Sequence, residues 1–359
     1  MRPSTFCNPP TASTAAGVLL ATLWVALAVP SGCSSTGADT DWERSVLSAR
    51  SLQDRGAYAE AERRYRELLQ GADTREEQRY VRLQLARLAA DRGDHERALK
   101  RYRGIWSKEL DDATGARAMF EAAELTEEEL GEGAEARRMR RRLIGRYPAS
   151  MWAERSVEVL AEDFARRDAW EAFEQEFRAM YRRARGTPVA DDILFTTGET
   201  FEERGGDLDK ALAYYRKTMR RHPEANFTDD AEWRAARILV DRQNWEPAVR
   251  ILERLAERVK TSWFVGTYNS PLASKARFRL GMIHLTHLSE YREAIEHFRR
   301  YLADFPRNAK ADDSAWHIAH AYRLMGDRSE YRKALRRLIE EFPESRYVER
   351  ARRQLRGRR

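Results

Sequence analysis

The sequence predicts an all-α chain: a solenoid of about eight helix-turn-helix repeats, finished by a C-terminal capping helix. Three observations lead there. A small residue followed four positions later by an aromatic or leucine recurs through most of the 359 residues. The spacing of these pairs is nearly constant, and prolines stop the second half of several periods at one fixed place.

The pairs are Ala61/Tyr65, Ala98/Tyr102, Ala136/Arg140, Ala211/Tyr215, Ala248/Leu252 and Ala294/Phe298, with weaker registers at Phe173/Phe177 and Tyr331/Leu335. Steps between their first members are 37, 38, 37, 38, 37, 46 and 37. A fixed period of this size is the signature of a repeat architecture. The step of 46 exceeds the period by nine, so an insertion is expected, at "TSWFVGTYNSPL", 261–272.

Each period divides into two helices. In residues 80–106, Leu83, Ala86, Ala89 and Ala90 share one face of a first helix. Gly93-Asp94 breaks it, and Ala98, Tyr102 and Ile105 mark the inner face of a second. The alanine is small because two helices must approach closely where they cross, and the ring one turn on fills the remaining space. Pro148, Pro223, Pro306 and Pro343 each stand twelve residues after the small position and end the second helix. Neither helix can bury its apolar face alone, so the hairpins must stack.

With these residues in view, the chain resembles the tetratricopeptide repeat family. The resemblance rests on the first-helix pairs Thr197-Gly198, Leu280-Gly281 and Ile318-Ala319, the turn glycines Gly56, Gly93 and Gly326, and the second-helix residues and prolines above. It implies a right-handed superhelix over 42–343, with 344–355 as a capping half-repeat. The period is a few residues longer than the family's 34, and Arg140, Phe173 and Tyr331 depart from the pattern. Helical repeats of the HEAT kind are the structural alternative. The phrase aromatic-Pro-x-Ser/Ala further resembles the subset in bacterial envelope proteins of the BamD and YbgF type.

The first residues point to export. A polar start with one charge, Arg2, leads into the apolar run Ala15–Val29. The run is short for a membrane span, which needs about 20 residues, and its layout is that of a signal peptide. Ser31-Gly32-Cys33 resembles a bacterial lipobox, which implies removal of 1–32 and a lipid-modified Cys33. Pro30 stands where that motif usually has leucine, and Ala26-Leu27-Ala28 offers a competing cut. Residues 33–41 would form the anchor and tether, spanning at most ~28 Å, before a solenoid over 42–359. By the same resemblance, Ser34 after the cysteine favours the outer membrane. Cys7 and Cys33 are the only cysteines, so the mature chain would have no disulfide and no thiol chemistry.

Composition excludes further classes. Charged residues make up 34% and mean hydropathy is −0.75, which suits a solenoid with a thin core strip. The net charge of +7 is spread among acids, and this interleaving, with export, argues against nucleic-acid binding. The clusters "RRMRRRLIGR" (137–146) and "RARRQLRGRR" (350–359) are either solvated faces or contacts for acidic partners.

No nucleotide-binding, nucleophile-elbow or zinc-protease motif occurs, so no enzyme and no cofactor are expected. Five of seven histidines lie in 284–320, among them the pairs His284/His287 and His317/His320. Each pair shares a helix face, but no carboxylate or cysteine completes a metal set. The acidic run "TEEELGE" (126–132) reads as a solvated turn.

What is left is surface. Three residues before the small first-helix position stand Phe195, Trp233, Phe278 and Trp316 in the last four repeats, against Glu121 and Glu158 earlier. These rings either line a groove for a peptide or partner helix or pack between repeats. The insertion brings Trp263, Phe264 and Tyr268, which fold back or meet a partner. The expected function is a periplasm-facing scaffold, lipid-anchored at Cys33, that holds envelope proteins in outer-membrane assembly, cell-wall synthesis or division. The alternative is a peptidoglycan- or ligand-binding accessory module, like the superhelix of some lytic transglycosylases but without their catalytic domain.

Overall fold

The backbone repeats on the same ruler as the side chains. Left-handed φ angles between +53° and +81° occur at Gly56, Gly93, Gly131, Asp168, Gly206, Gln243, Ser289 and Gly326. Each lies five residues before one of the small or weaker-register positions, so the steps are again 37, 38, 37, 38, 37, 46 and 37. The left-handed residue turns the chain so that orphaned carbonyls at the end of the first helix find donors. At Gly93 its own N–H donates to Ala90 O at 2.8 Å, and Asp94 N–H donates to Ala89 O at 2.9 Å.

The computed structural model describes residues 37–106, 113–258 and 271–357. They form helices joined in consecutive hairpins, with no strand among the described residues. The hairpins are α1 (Gly37–Asp54) with α2 (Tyr58–Gln70), α3 (Arg75–Asp91) with α4 (His95–Trp106), α5 (Ala113–Glu128) with α6 (Gly133–Arg146), and α7 (Met151–Arg166) with α8 (Trp170–Arg183). They continue as α9 (Val189–Thr200) with α10 (Leu208–Arg221), α11 (Thr228–Asp241) with α12 (Trp245–Ala256), α13 (Pro271–Ile283) with α14 (Tyr291–Asp304), and α15 (Ala311–Leu324) with α16 (Arg328–Glu341). α17 (Val348–Arg356) covers the last hairpin. π-helical turns, Phe201–Gly205 and His284–Leu288, prolong α9 and α13 at the same point of their repeats.

Two boundaries differ from the sequence reading. α1 begins at Gly37, inside the expected tether, because no proline stops the helix from growing backward. α13 begins at Pro271, inside the expected insertion; proline is favoured in a first turn, where its missing N–H costs nothing. The expected signal peptide (1–32), Cys33 and the rings Trp263, Phe264 and Tyr268 lie outside the described residues.

Packing follows from the small-residue rule. Ala61, Ala98, Ala136, Ala211, Ala248 and Ala294 are all fully buried, and so are the rings Tyr65, Tyr215 and Phe298 one turn later. Burying a ring of this size is worth roughly 1.5–3 kcal/mol. On the opposite helix, a Cβ added to Gly198 would sit 2.9 Å from Tyr215, and one at Gly281 would sit 2.6 Å from Phe298. Ion pairs tie one period to the next: Arg101 to Glu62 at 2.6 Å, and Arg234 to Glu199 at 2.5 Å.

The fourth hairpin breaks the rule, and its geometry shows why the rule matters. Phe173 stands where most repeats have alanine and, unlike the half-buried Tyr331 at the same position of α16, its ring is fully buried in the crossing. α8 therefore stands off from both neighbours, while α7 packs directly against α9. Rings fill the space: Phe173 lies 4.5 Å from Phe177, 5.2 Å from Phe201 and 6.0 Å from Phe164, centroid to centroid. At Arg140 the departure is electrostatic. The side chain is buried where most repeats place a ring, and its Nη2 forms an ion pair with Glu127 Oε2 at 2.6 Å. The run 126–132 is thus not wholly a solvated turn, since Thr126 is buried in α5 and Glu127 neutralises Arg140.

Two glycine exchanges should move stability in opposite directions. Gln243 holds a left-handed φ of 57° with an exposed side chain, so Gln243→Gly should raise stability by about 1 kcal/mol. Gly281→Ala should lower it by about 1–3 kcal/mol, because the new methyl meets Phe298. Urea midpoints check both; a Gly281→Ala protein as stable as the parent contradicts the close crossing.

Candidate partner-binding surface

First helices touch one another along the stack: α3 meets α5, α5 meets α7, α7 meets α9 and α11 meets α13. Second helices do not meet to that extent, so the stack curves with first helices on the inner side. The two flanks differ in charge. In the four central hairpins, α5, α7, α9 with its π-turn, and α11 carry seventeen Asp or Glu against six Lys or Arg. Their partners α6, α8, α10 and α12 carry seven against sixteen. First helices of these hairpins are thus net acidic and their partners net basic, a charge difference of the kind that attracts groups of opposite sign.

The four predicted rings sit on first helices but not on one open stripe. Phe195 is 6% exposed, stacked on Phe227 at 4.7 Å and covered by Arg234 at 5.7 Å. This corrects the expectation that it faces a partner. Phe278 packs edge-on against Tyr301 and His317, with the Lys310 ammonium 5.5 Å away. Trp316 stacks on Tyr347 at 4.8 Å under the Arg350 guanidinium. Phe227, Lys310 and Tyr347 each stand four residues after a turn proline, so the first-helix ring seals its repeat against the next turn. Phe120 on Trp152, at 5.0 Å, is the same contact earlier in the chain. Trp233, Phe278 and Trp316 remain half-buried and keep part of their surface outward.

The arginine cluster at 137–146 is largely neutralised. Arg137 pairs with Asp163 at 3.5 Å, Arg140 with Glu127, and Arg141 Nη2 donates to Glu176 Oε2 at 2.9 Å. The stand-off of α8 opens a groove of about 400 Å³ between α6 and α8, lined by Arg141, Ile144, Ala172, Glu176, Met180 and Arg183 among others.

The histidines pack as rings. His284 stacks on His297 at 5.1 Å and hydrogen-bonds Glu290 at 2.7 Å, while His317 stacks on Phe298 at 5.3 Å. Among the described residues no group of three or more His, Cys, Asp or Glu is arranged to hold a metal ion. Burial, aided by nearby His284 and arginines, lowers His297 to about 4. Burial likewise lowers His317 to about 4. In each the Nδ1 is sealed without a partner.

One repeated signal in the sequence belongs to no catalytic pattern. Aspartate doublets open three first helices: Asp191-Asp192, Asp229-Asp230 and Asp312-Asp313. Asp229 is held by Arg258 at 3.0 Å, and Asp313 by Lys310, Arg346 and Tyr347 at 2.6–2.7 Å.

His297 and His317 make stability depend on pH. Their folded values lie below the unfolded one, so their contribution is complete above about 6.5 and is lost as pH falls toward about 4, because there only the unfolded chain takes up protons. The loss is at most about 1.4 kcal/mol per pH unit for each. Glu124 and Asp192, both pushed up to about 7 by burial, act in the opposite direction in any variant. Urea midpoints of the parent and a His297→Phe/His317→Phe variant, taken at about pH 7 and about pH 5, isolate the histidine part. The variant should gain on the parent at the lower pH; an unchanged gap contradicts the assignment.

Tetratricopeptide repeat family models match residues 234–309 and residues 192–225 and 313–345. No curated protein matches the chain. Among solved structures, MamA is 16% identical, with 54% of this chain and 94% of that one covered and a TM-score of 0.35. YrrB, described as a tetratricopeptide repeat protein with an unusual peptide-binding site, is 16% identical over 55% and 91%, at 0.34. PilW, a type IV pilus biogenesis factor, is 14% identical over 76% and 97%, at 0.33. These overlaps are too loose to carry a partner across. The repeat matches and the file of hairpins agree: the chain is an all-α solenoid that carries tetratricopeptide repeats within 192–345.

Proposed function

We propose that the protein is a non-catalytic scaffold of the bacterial envelope, anchored by a lipid at Cys33, facing the periplasm and holding other envelope proteins against its inner flank. The observation that carries the binding role is the continuous first-helix flank, whose acidic side chains and half-buried Trp233, Phe278 and Trp316 lie along several consecutive repeats. Location is supported by the sequence alone: the apolar run Ala15–Val29, followed by Ser31-Gly32-Cys33. Several acyl chains at about 0.8 kcal/mol per buried methylene would hold the chain at a membrane. The aromatic-proline phrases at the repeat boundaries favour partners in outer-membrane assembly, cell-wall synthesis or division, as in envelope proteins of the BamD and YbgF type. No helix among the described residues is long and apolar enough to cross a membrane.

Crosslinking mass spectrometry in intact cells, with the mature N-terminus read from the same sample, tests both parts. The expected result is an acylated terminus at Cys33 and envelope proteins crosslinked near Trp233 and Trp316, lost in a Trp233→Ala/Trp316→Ala variant. An acyl-free terminus at Val29 contradicts the anchor. Unchanged protein partners together with lost peptidoglycan binding in that variant would favour the accessory-module reading instead.

A further inference from the structure

At the mouth of α15, Asp313 fills a slot that the repeat supplies with cations. Lys310, three residues before it, donates from the helix start at 2.7 Å; Arg346 and the Tyr347 hydroxyl donate from the next turn, each at 2.6 Å. Against the pull of burial, these three hydrogen bonds hold its carboxyl down at about 2. Asp192 occupies the same register in α9, six residues before Gly198 as Asp313 is six before Ala319. The three donors are gone. Val189 stands for Lys310, and, counting from Pro223 as from Pro343, Asn226 stands for Arg346 and Phe227 for Tyr347.

The vacancy is deep. Asp191 and Asp192 are 6% and 7% exposed, yet no described residue offers either an ion pair. The Asp191 side chain makes no hydrogen bond within the described chain, and its oxygens are not sealed from solvent. The direct packing of α7 on α9, forced by Phe173, brings up more negative charge. Burial, then Asp191, raises Glu154. Burial, then Asp191, Glu154 and Glu158, push Asp192 up to about 7. Glu158 has its own arginine, Arg155, at 2.6 Å. From the following turn comes only His222, which shares a hydrogen bond with Tyr181 and is itself lowered by burial. The other fully buried acids of the stack have cations: Asp163 has Arg167, Glu232 has Arg258 and Asp313 has Lys310. A buried carboxylate without a counter-charge is costly, and a charge that enters the slot recovers that cost.

We infer that the slot formed by Asp191, Asp192 and Glu154 between α7 and α9 is a docking point for a lysine or arginine side chain on a basic segment of a partner protein. The partner's cation takes the place that Lys310 and Arg346 hold at Asp313, and the rest of the segment follows the acidic inner flank. This rests on the scaffold reading and names the chemistry of what the scaffold holds.

Fluorescence anisotropy of a labelled dodecapeptide of alternating arginine and alanine, titrated with the full-length protein at near-physiological ionic strength, tests it. Asp191→Asn/Asp192→Asn should weaken binding about tenfold or more, as expected for loss of a desolvated charge pair. Asn226→Arg/Phe227→Tyr, changes at an exposed and a half-buried position that restore the arginine and hydroxyl in cis, should weaken it equally while leaving the fold intact. Asp209→Asn, at a side chain 83% exposed, should bind as the parent does. Parent-like affinity in both slot variants overturns the inference, and so does an equal loss in Asp209→Asn, which would show diffuse charge attraction only. If crosslinked envelope partners persist in the slot variants and the peptide binding ignores them, the slot fails and the scaffold stands. Slot-dependent peptide binding with no envelope partner in cells leaves the slot standing and removes the scaffold.

Discussion

The close crossing inside each hairpin is the constraint on which the rest depends. A glycine or alanine on the first helix lies under a ring on the second, at Gly198 beneath Tyr215 and Gly281 beneath Phe298, where a single methyl has no room. That contact fixes the angle of one hairpin. A left-handed turn residue five positions before the small residue of the second helix fixes the reversal, and a proline twelve after it fixes the exit. All three are short-range steric devices. Repeated in order, they leave each hairpin with one exposed apolar face, which only the next hairpin can cover.

The exceptions carry the individuality of the chain. Phe173 is too large for the crossing, so α8 moves out, α7 and α9 close up, and two features follow: a groove between α6 and α8 on one side and a crowd of carboxylates on the other. Elsewhere an arginine reaches the fully buried acids Asp163, Glu232 and Asp313, so the stack is bound by charge as well as by packing. In α9 that supply stops at Val189, Asn226 and Phe227. The same substitutions make that of α9 the one aspartate doublet, among the three, in which neither member has an ion pair.

Much of this was legible in the sequence because it is local. The period, the eight hairpins, the capping helix, the turn glycines and the proline stops all follow from residues within about forty positions of each other. Phe195 was not legible as buried, because its cover is Phe227 in the next turn, and the aromatic position reads the same whether that cover is a ring, as at Tyr347, or an ammonium, as at Lys310. The arginines of 137–146 looked like a solvated patch because their carboxylates lie on other helices, Glu127 before them and Asp163 and Glu176 after. The acidic doublets were visible but silent. Their meaning appears only when Asp192 and Asp313 are compared position by position with the turns that serve them.

A stack held by nearest-neighbour contacts should lose one member and close again. Excision of residues 211–247, one whole period, sets Ala248 in the place of Ala211 and Leu252 in the place of Tyr215 over Gly198, and keeps the turn before them. Circular dichroism through a urea titration of this shortened protein measures the claim directly. Unchanged helicity per residue and one cooperative transition are the predicted result. Collapse of helicity across the remaining repeats would contradict it, since that would mean the hairpins depend on partners far along the chain.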